Sequence, residues 1–392
     1  MSSFLRITIA ALTLSLGLTT AAPAQNAEQT ALIGLIGPIT QPRGKNMRDG
    51  AQFAVDRINQ QGLRINGKSI TLKLLIIDDK NDLNLAMLGA HAAVTAGVIG
   101  VIGHLTTDTS IAASEVYHKA GIAQLAPSAA GRGFTNQGYN NVFQMLGHSG
   151  YAGQFLAEEA LRILQLRRIM LIDNDTVLGR ELTANFASAA AAQGGLVVGS
   201  DRINAKTSDF NATIAKIQSI NPDLIFFAGV TPQSSAFAVR LQQVGVNAKL
   251  LLAGGATNPE FPRDTEEYPD GTLMLVAGRP VEKAPDFKRV EKLYREKFTT
   301  PLLPYTWFSY DAVNALVEAM KLSNSLDPSQ LSPALHKIKF NGLSGAVSFA
   351  ADGSTQHVAY TLYLAQQHQW KILNTLPCKG HDLGPMTGAS TP

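Results

Sequence analysis

The sequence contains a single cysteine, Cys378. One cysteine cannot form a disulfide within the chain, so the folded protein must be stabilised by packing. Cys378 stands in a C-terminal stretch rich in glycine, proline and threonine, with only His381 close to it in sequence. We interpret it as an incidental residue and not as a nucleophile.

Dense clusters of like charge are also missing. The 33 basic and 30 acidic residues give a formal net charge of +3 and are dispersed along the chain. A surface that follows the phosphates of a nucleic acid requires grouped lysines and arginines, so nucleic-acid binding is not expected. The 45% apolar and 16% charged residues are typical of a compact globular protein, and 392 residues suffice for two domains.

No stretch of the chain reaches the roughly 18 consecutive apolar residues of a transmembrane helix. The N-terminal run Ile7–Leu18 would span only about 18 Å as a helix, against a hydrocarbon core of about 30 Å. Arg6 precedes this run, and Ala22-Pro23-Ala24 places small residues where a signal peptidase reads them. We expect residues 1–24 to be a cleavable signal peptide and the mature chain to be periplasmic. An uncleaved N-terminal anchor is the alternative.

Motifs of the common enzyme classes are absent. No G-x-G-x-x-G follows the first predicted strand, so a dinucleotide would lack its phosphate cradle. The sequence has no P-loop, no G-x-S-x-G nucleophile elbow and no H-E-x-x-H metal pair. Its 8 histidines are scattered, and we interpret His104 and His148 as structural. We expect no catalysis, no cofactor and no metal, with an exported α/β enzyme as one alternative.

Patterns of buried strands alternate with patterns of amphipathic helices along the mature sequence. One series runs from Ala31 to Leu125 and a second from Ala152 to Leu252. Short apolar runs separated by helices are typical of βαβ units, whose parallel sheets are covered on both faces. The two series predict an α/β protein with two doubly wound, Rossmann-like lobes of the type I periplasmic binding protein kind.

The last third of the sequence has a different order of elements, and neither lobe is complete before it begins. We therefore expect the chain to return to the first lobe near Gly278 and to re-enter the second near Ser354. The predicted ranges are 27–147 with 279–353 for lobe 1, 148–278 with 354–377 for lobe 2, and 378–392 for a C-terminal tail. Several hinge crossings place a cleft between the lobes, a usual position for a small ligand.

Polar residues follow the predicted strand that ends at Ile102. Thr106, Thr107 and Asp108 open the next helix. The unpaired N–H groups of a first helical turn and the positive end of the helix dipole suit an anion such as a carboxylate. An ordinary N-cap loop explains the same residues. Asp108 favours that alternative, because a carboxylate at the cap already occupies some donors.

A second loop, Pro127–Gly131, follows the next predicted strand. Its small residues allow a ligand to approach the backbone, and Ser128 can both donate and accept a hydrogen bond. Both loops are expected side by side at the carboxyl edge of the first sheet, where ligands bind in open α/β folds.

Short motifs stand in a characteristic order along the chain: Gly37-Pro38, Gly50-Ala51 with Val55–Asn59, Asp78-Asp79, Gly103-His104-Leu105, Pro222-Asp223, Trp307–Val313 and Phe349–Gly353. In this order and spacing, essentially the whole mature chain resembles the leucine/isoleucine/valine-binding protein family. These are the periplasmic components of branched-chain amino-acid ABC importers. The resemblance implies capture of a small molecule by lobe closure and docking to permease subunits. We expect a monomer.

The resemblance also implies positions for the ligand. The hydroxyl that holds the ligand carboxylate matches Thr107. The small-residue loop matches Ser128 to Ala130, where Ala130 replaces a threonine that helps to hold the ligand ammonium. The two site tyrosines of the second lobe match Leu178 and Val230.

Further matches bear on the class of ligand. The acidic residue that pairs with the ligand ammonium matches Gly254 or Gly255, a ring-bearing position near the hinge matches Tyr305, and the first-loop tyrosine falls near Pro42 or Arg43. A buried ammonium without a carboxylate partner would cost several kcal/mol. We therefore expect a small carboxylic acid with an aromatic or branched body, and not an ordinary α-amino acid. Arg43 either adds a second partner for the anion or is a solvated surface residue.

The expected function is that of an extracytoplasmic solute-binding protein for an ABC importer, which captures a small amino-acid-like or carboxylic-acid ligand by lobe closure. A ligand sensor that signals to a membrane receptor would have the same sequence features and remains an alternative. The expected ligand-binding residues are Arg43, Thr106, Thr107, Asp108, Ser128, Ala130, Leu178, Val230, Gly255 and Tyr305.

Overall fold

The computed structural model describes residues 28–204, 206–229, 233–254, 265, 268–284 and 287–376. The expectations for the signal peptide, the C-terminal tail, Cys378, Val230 and Gly255 lie outside these ranges. Within the ranges, no helix combines the length and the hydropathy that a membrane span requires.

The first part of the chain forms a six-stranded sheet. Its strands are β1 (Glu28–Gly37), β2 (Leu63–Ile65), β3 (Lys68–Asp78), β4 (Gly100–Gly103), β5 (Ala123–Ala126) and β6 (Val142–Gln144). The spatial order is β2-β3-β1-β4-β5-β6, and only the β2–β3 pair is antiparallel. The connecting helices are α1 (Pro42–Gln61), α2 (Leu83–Thr95) and α3 (Thr107–Lys119). This sheet and the helices packed on it are called lobe 1.

From Ala31 to its end, strand β1 is apolar because helices cover both faces of the sheet. Ile33 and Leu35 lie in one hydrophobic cluster, Ile36 lies in another, and all three side chains are fully buried. A strand buried on both faces loses the polar–apolar alternation of a half-exposed strand. The continuous apolar run in the sequence is therefore the signature of a central parallel strand.

The chain then forms a second series of strands and helices. Helix α4 (Ser149–Glu158) continues as a π-helical turn at Glu159–Ile163. The strands are β7 (Arg168–Asp173), β8 (Leu196–Arg202), β9 (Leu224–Ala228), β10 (Lys249–Ala253) and β11 (Leu273–Ala277). The helices are α5 (Val177–Ala192), α6 (Asn211–Ile220) and α7 (Gln233–Gln243). This series begins lobe 2.

After β11 the chain returns to lobe 1. It adds α8 (Phe287–Arg295), α9 (Pro304–Ser323), α10 (Pro328–Leu335) and a small hairpin of β12 (Phe340–Asn341) with β13 (Ala346–Val347). Residues Phe308, Ala312 and Leu316 of α9 share a hydrophobic cluster with Ile33 of β1. Helix α9 is thus part of the core of lobe 1, as the predicted return near Gly278 requires.

The hairpin of β14 (Tyr360–Gln366) and β15 (Gln369–Leu376) completes the second sheet. The sheet has the order β15-β14-β11-β10-β9-β7-β8. Gln367 and His368 form the turn, with φ angles of 52° and 57°. Two consecutive positive φ angles are typical of a type I′ turn, whose twist matches that of a hairpin.

Within the described residues, three chain segments pass side by side between the lobes. The Tyr360 hydroxyl lies 2.6 Å from the Gly147 carbonyl oxygen. The backbone N–H of Gly278 donates to Ala359, and the Thr361 hydroxyl donates to Gly278, at 2.8 and 2.9 Å. These bonds hold the crossings together. The residue boundaries given above for the lobes stay a prediction.

Candidate functional site

A cleft between the lobes is built largely from residues that follow the carboxyl ends of strands. Residues after β1, β5, β7 and β10 contribute to it, as expected for a ligand site in open α/β sheets. The space between the lining atoms, including the part open to solvent, is about 590 Å³. The lining residues are Arg43, Ser128, Ala130, Leu146, Ser149, Ala152, Leu178, Leu182, Gly254, Leu275, Val276, Ala277, Pro304, Tyr305, Phe308 and Tyr360.

Arg43 lies in this cleft. It stands in the first turn of α1, directly after Pro42, and its Nη2 is 3.4 Å from the Ser128 hydroxyl oxygen. Its Cζ lies 4.7 Å from the centre of the Tyr305 ring, within the range of a cation–π contact. The Nε of Arg43 is buried and has no hydrogen-bond partner. The guanidinium therefore brings a positive charge and unused donors to the cleft.

The loop after β5 is held in place from behind. The Gln144 side-chain amide donates to the carbonyl oxygens of Ala129 and Gly131 at 2.6 and 3.2 Å. The Gly131 N–H donates to the Thr107 hydroxyl at 2.9 Å. A Cβ on Gly131 would lie 2.5 Å from Cγ2 of Thr107, so only glycine allows this close approach. Ser128 and Ala130 are thus presented to the cleft by a fixed backbone.

The lobe 2 side of the cleft is mainly apolar, and its polar lining residue Ser149 donates its hydroxyl to Glu181 at 2.6 Å. Leu178 and Leu182 project from successive turns of α5, and Leu275 comes from β11. Tyr360 also lines the cleft, but burial raises the pKa of its hydroxyl far above the usual value, so the group stays neutral. That hydroxyl is directed to the backbone of Gly147. The lobe 2 wall therefore offers packing to a ligand and little polar recognition.

Three of the predicted binding residues are not among those that line the cleft. Thr106 caps α3 and donates to Asn81 Oδ1 at 2.8 Å. Thr107 is buried and accepts the Gly131 N–H. Asp108 accepts the Val177 N–H, with its two carboxylate oxygens at 3.2 and 3.3 Å. These residues shape the cleft indirectly, and direct contact of any of them with a ligand stays a prediction.

The structure brings five of the predicted residues together around one space: Arg43, Ser128, Ala130, Leu178 and Tyr305. Val230 and Gly255 lie outside the described residues, although Gly254 lines the cleft. Sequence reasoning missed Ser149, Leu182 and Tyr360. Leu182 stands four residues after Leu178 on one helix, so helical spacing was a usable signal. Ser149 and Tyr360 lie at chain crossings and gave no comparable signal.

The two histidines interpreted as structural are bonded to protein groups and are not among the residues that line the cleft. His104 Nδ1 lies 2.7 Å from Asp79 Oδ2, and its Nε2 lies 3.1 Å from the Tyr117 hydroxyl. All three side chains are fully buried. Burial lowers the pKa of His148 to about 4, and its Nδ1 accepts the Gly150 N–H at the start of α4. In the part of the chain that is described, no cluster of His, Cys, Asp and Glu could hold a metal ion.

Comparison with known proteins agrees with this geometry. A family model described as "Periplasmic binding protein" matches residues 31–369. The leucine-, isoleucine-, valine-, threonine- and alanine-binding protein of Pseudomonas aeruginosa is 26% identical over 344 residues, which are 86% of this chain and 90% of that protein. The resemblance to leucine/isoleucine/valine-binding proteins inferred from the sequence is thereby confirmed.

Solved structures share the fold. A leucine-binding protein from Thermotoga maritima has a TM-score of 0.78 at 21% identity, with 88% of this chain and 98% of that chain covered. A solute-binding protein of an ABC transporter from R. palustris, in complex with benzoate, has a TM-score of 0.76 at 18% identity, with 88% and 96% covered. The predicted two-lobed α/β architecture is confirmed.

Proposed function

Because the chain belongs to the periplasmic binding protein family, we propose that it is the solute-binding component of an ABC importer and captures a small carboxylic acid between its lobes. Membership of this family implies a location outside the cytoplasm. We further propose that residues 1–24 are a cleaved signal peptide and that the mature protein acts as a monomer beside permease subunits.

The position of Arg43 carries the proposal for the ligand. Its guanidinium lies in the cleft beside the Ser128 hydroxyl, and its buried Nε lacks a partner. A carboxylate matches the fork of guanidinium donors in charge and shape. A carboxylate between Arg43 and Ser128 would satisfy groups that the protein itself leaves unused.

The described lining of the cleft contains no aspartate or glutamate. The ammonium group of an α-amino acid would therefore enter it without a counter-charge from these residues. Burying an unpaired charge costs several kcal/mol. This favours an acid without an amino group, its aromatic or branched body packed against Leu178, Leu182 and Phe308.

Matched pairs of small molecules test the ligand class by calorimetry on the mature protein. Isovalerate differs from valine only in lacking the ammonium group, and benzoate differs from benzamide in its charge. We expect isovalerate to bind more tightly than valine, and benzoate more tightly than benzamide. Arg43→Gln should weaken benzoate about ten- to a hundredfold, the range for a hydrogen bond to a charged group. It should leave the affinity for benzamide nearly unchanged.

Arg57→Gln is the matched control, since Arg57 contacts the rings of Phe53 and Tyr310 and is not among the cleft residues. It should not change either affinity. Submicromolar binding of valine or leucine, with isovalerate much weaker, would contradict the proposed ligand. An acid outside the described residues, such as Glu260, would then supply the partner for the ammonium.

A further inference from the structure

Two carboxylates cross the cleft in opposite directions. Asp108, on α3 of lobe 1, accepts the backbone N–H of Val177 at the start of α5 in lobe 2. Glu181, on α5, accepts the backbone N–H groups of Arg132 and Gly133 in lobe 1 at 2.6 and 2.9 Å. Each lobe therefore supplies one carboxylate and one set of backbone donors to the other.

The donors on both sides belong to the beginnings of helices. Val177 is the first residue of α5, and Arg132 and Gly133 open a 3₁₀ turn at Arg132–Phe134. N–H groups at such positions have no partner within the helix or turn, and Val177 also lies at the positive end of the α5 dipole. A carboxylate from the facing lobe satisfies both the hydrogen bond and the charge.

Glu181 also accepts the Ser149 hydroxyl within lobe 2 at 2.6 Å, but neither carboxylate caps the helix on which it stands. Helix α3 is already capped by the Thr106 hydroxyl, which accepts the Thr109 N–H. Helix α5 is capped by Thr176, whose hydroxyl accepts the Gly179 N–H. The bonds of Asp108 and Glu181 to the opposite lobe can form only while the lobes are closed, so their free energy contributes to closure.

We propose that Asp108 and Glu181 form a reciprocal latch that sets how tightly the closed cleft holds its ligand, whichever ligand that is. The proposal extends the proposed function, since it concerns the closure by which the same cleft captures a solute. The apparent affinity of a ligand is proportional to the population of the closed state that it binds. Loss of the latch should therefore weaken all ligands by one common factor and leave their order unchanged.

Alanine variants test the latch on the mature protein. Asp108→Ala and Glu181→Ala should each weaken benzoate and isovalerate by the same factor, about tenfold for one lost charge-assisted bond. Glu115→Ala is the matched control, because Glu115 stands on the same helix α3 and pairs with Lys119 on the surface. It should bind like the natural protein. If a variant loses more affinity for benzoate than for isovalerate, or the reverse, the substituted residue contacts the ligand directly, and the latch is overturned.

A proline substitution removes the donor and keeps the helix. Val177 is the first residue of α5, where proline is well tolerated, and α1, α9 and α10 already carry proline at this end. Val177→Pro deletes the N–H that Asp108 accepts, whereas Val177→Ala retains it. We expect Val177→Pro to match the loss in Asp108→Ala and the double variant to lose no more. Additive losses would mean that the two groups do not act on each other.

Small-angle X-ray scattering separates the latch from the ligand proposal. Without ligand, the Asp108→Ala/Glu181→Ala variant should have a larger radius of gyration than the natural protein, because its lobes close less often. If neither benzoate nor isovalerate binds to the natural protein or to any variant, the proposed ligand is wrong. The scattering comparison alone then tests whether the latch exists. Equal radii in that case, or equal affinities where the acids bind, overturn it.

Discussion

Arg43 enters the cleft because α1 begins at Pro42, so the arginine stands in the first turn at the end of the helix that faces lobe 2. The ring of Tyr305 lies beneath its guanidinium and fixes its direction. The sequence allowed two interpretations of Arg43, an anion partner or a solvated surface residue. The contact with Ser128 and the buried Nε favour the first.

Another single residue couples stability to pH. Asp311 on α9 is fully buried and accepts hydrogen bonds from the backbone of Leu343 and Ser344 at 2.9 and 2.6 Å. Burial raises its pKa from 3.8 to about 6, against the opposing effect of these bonds. The folded state thus takes up a proton more readily than the unfolded chain does.

This shift predicts a change in stability between pH 4 and 7. The contribution of Asp311 is fully present below pH 3.8 and is lost as the pH rises through about 6. The difference between a pKa of 3.8 in the unfolded chain and one of about 6 in the folded protein corresponds to about 3 kcal/mol of stability. Asp311→Asn should remove this contribution, so the natural protein should gain stability relative to the variant as the pH falls from 7 to 4.

Urea unfolding of both proteins at several pH values measures the difference. His148 titrates in the same window with the opposite sign, because burial lowers its pKa from 6.5 to about 4. Comparison with the variant is therefore needed to isolate Asp311. A constant difference in unfolding free energy from pH 4 to 7 would contradict the prediction.

At the scale of elements, close packing joins a helix from the last third of the chain to the first helix of lobe 1. Helices α1 and α9 cross at Gly50, where an added Cβ would lie 2.2 Å from the Thr306 carbonyl oxygen. Backbone atoms cannot move aside as the end of a side chain can. The glycine therefore lets a helix from the last third of the chain pack against the first helix of the lobe.

Gly50→Ala should destabilise the protein by about 1–3 kcal/mol, because the overpacking outweighs the gain in helix propensity. Gly89→Ala in α2 is the matched control. Its Cβ would meet only the side-chain methyl groups of Ile77 and Ile36, at 3.1 and 3.4 Å. We expect that variant to be close to the natural protein in urea unfolding. Equal effects of the two substitutions would show that the α1–α9 crossing is not tightly packed.

In the described residues, two large sheets are joined by three adjacent chain crossings, and the cleft between them has Arg43 and Ser128 on lobe 1 and mainly apolar side chains on lobe 2. Such a division suits a ligand with one charged end and one apolar end. The residues that line the cleft come from both lobes, so neither lobe alone contains the site.

For the whole molecule, we predict export through a signal peptide that is cleaved near Gln25, and the N-terminus of the mature protein tests this. A charged n-region, the apolar run Ile7–Leu18 and the small residues before Gln25 predict cleavage there. N-terminal sequencing of the periplasmic fraction should begin at or near Gln25. An intact Met1 end recovered from the membrane fraction would instead identify an uncleaved anchor.

The periodic patterns of the sequence determined most elements of both lobes. They failed for β2, β6, β12 and β15. Strands β2 and β12 have only three and two residues. Strand β6 has only three residues, too few to show a period. Strand β15 is an edge strand with mixed exposure, and its polar residues hide the buried-strand pattern. A periodic pattern needs about four residues or more to be recognised, so even a fully buried strand as short as β6 carries no such signal.

Hydrophobic period and motif order are sufficient to predict the fold class, the family and one loop of the cleft, residues 127–131. Which side chains face the ligand space depends on the tertiary structure, because the side chains of the other predicted loop are bonded to protein groups and do not line the cleft. Asp108 stands beside Thr107 in the first turn of α3, yet its partner Val177 lies 69 residues away on the other lobe. Such contacts depend on how two separately folded lobes meet, and no local pattern of residues specifies that meeting.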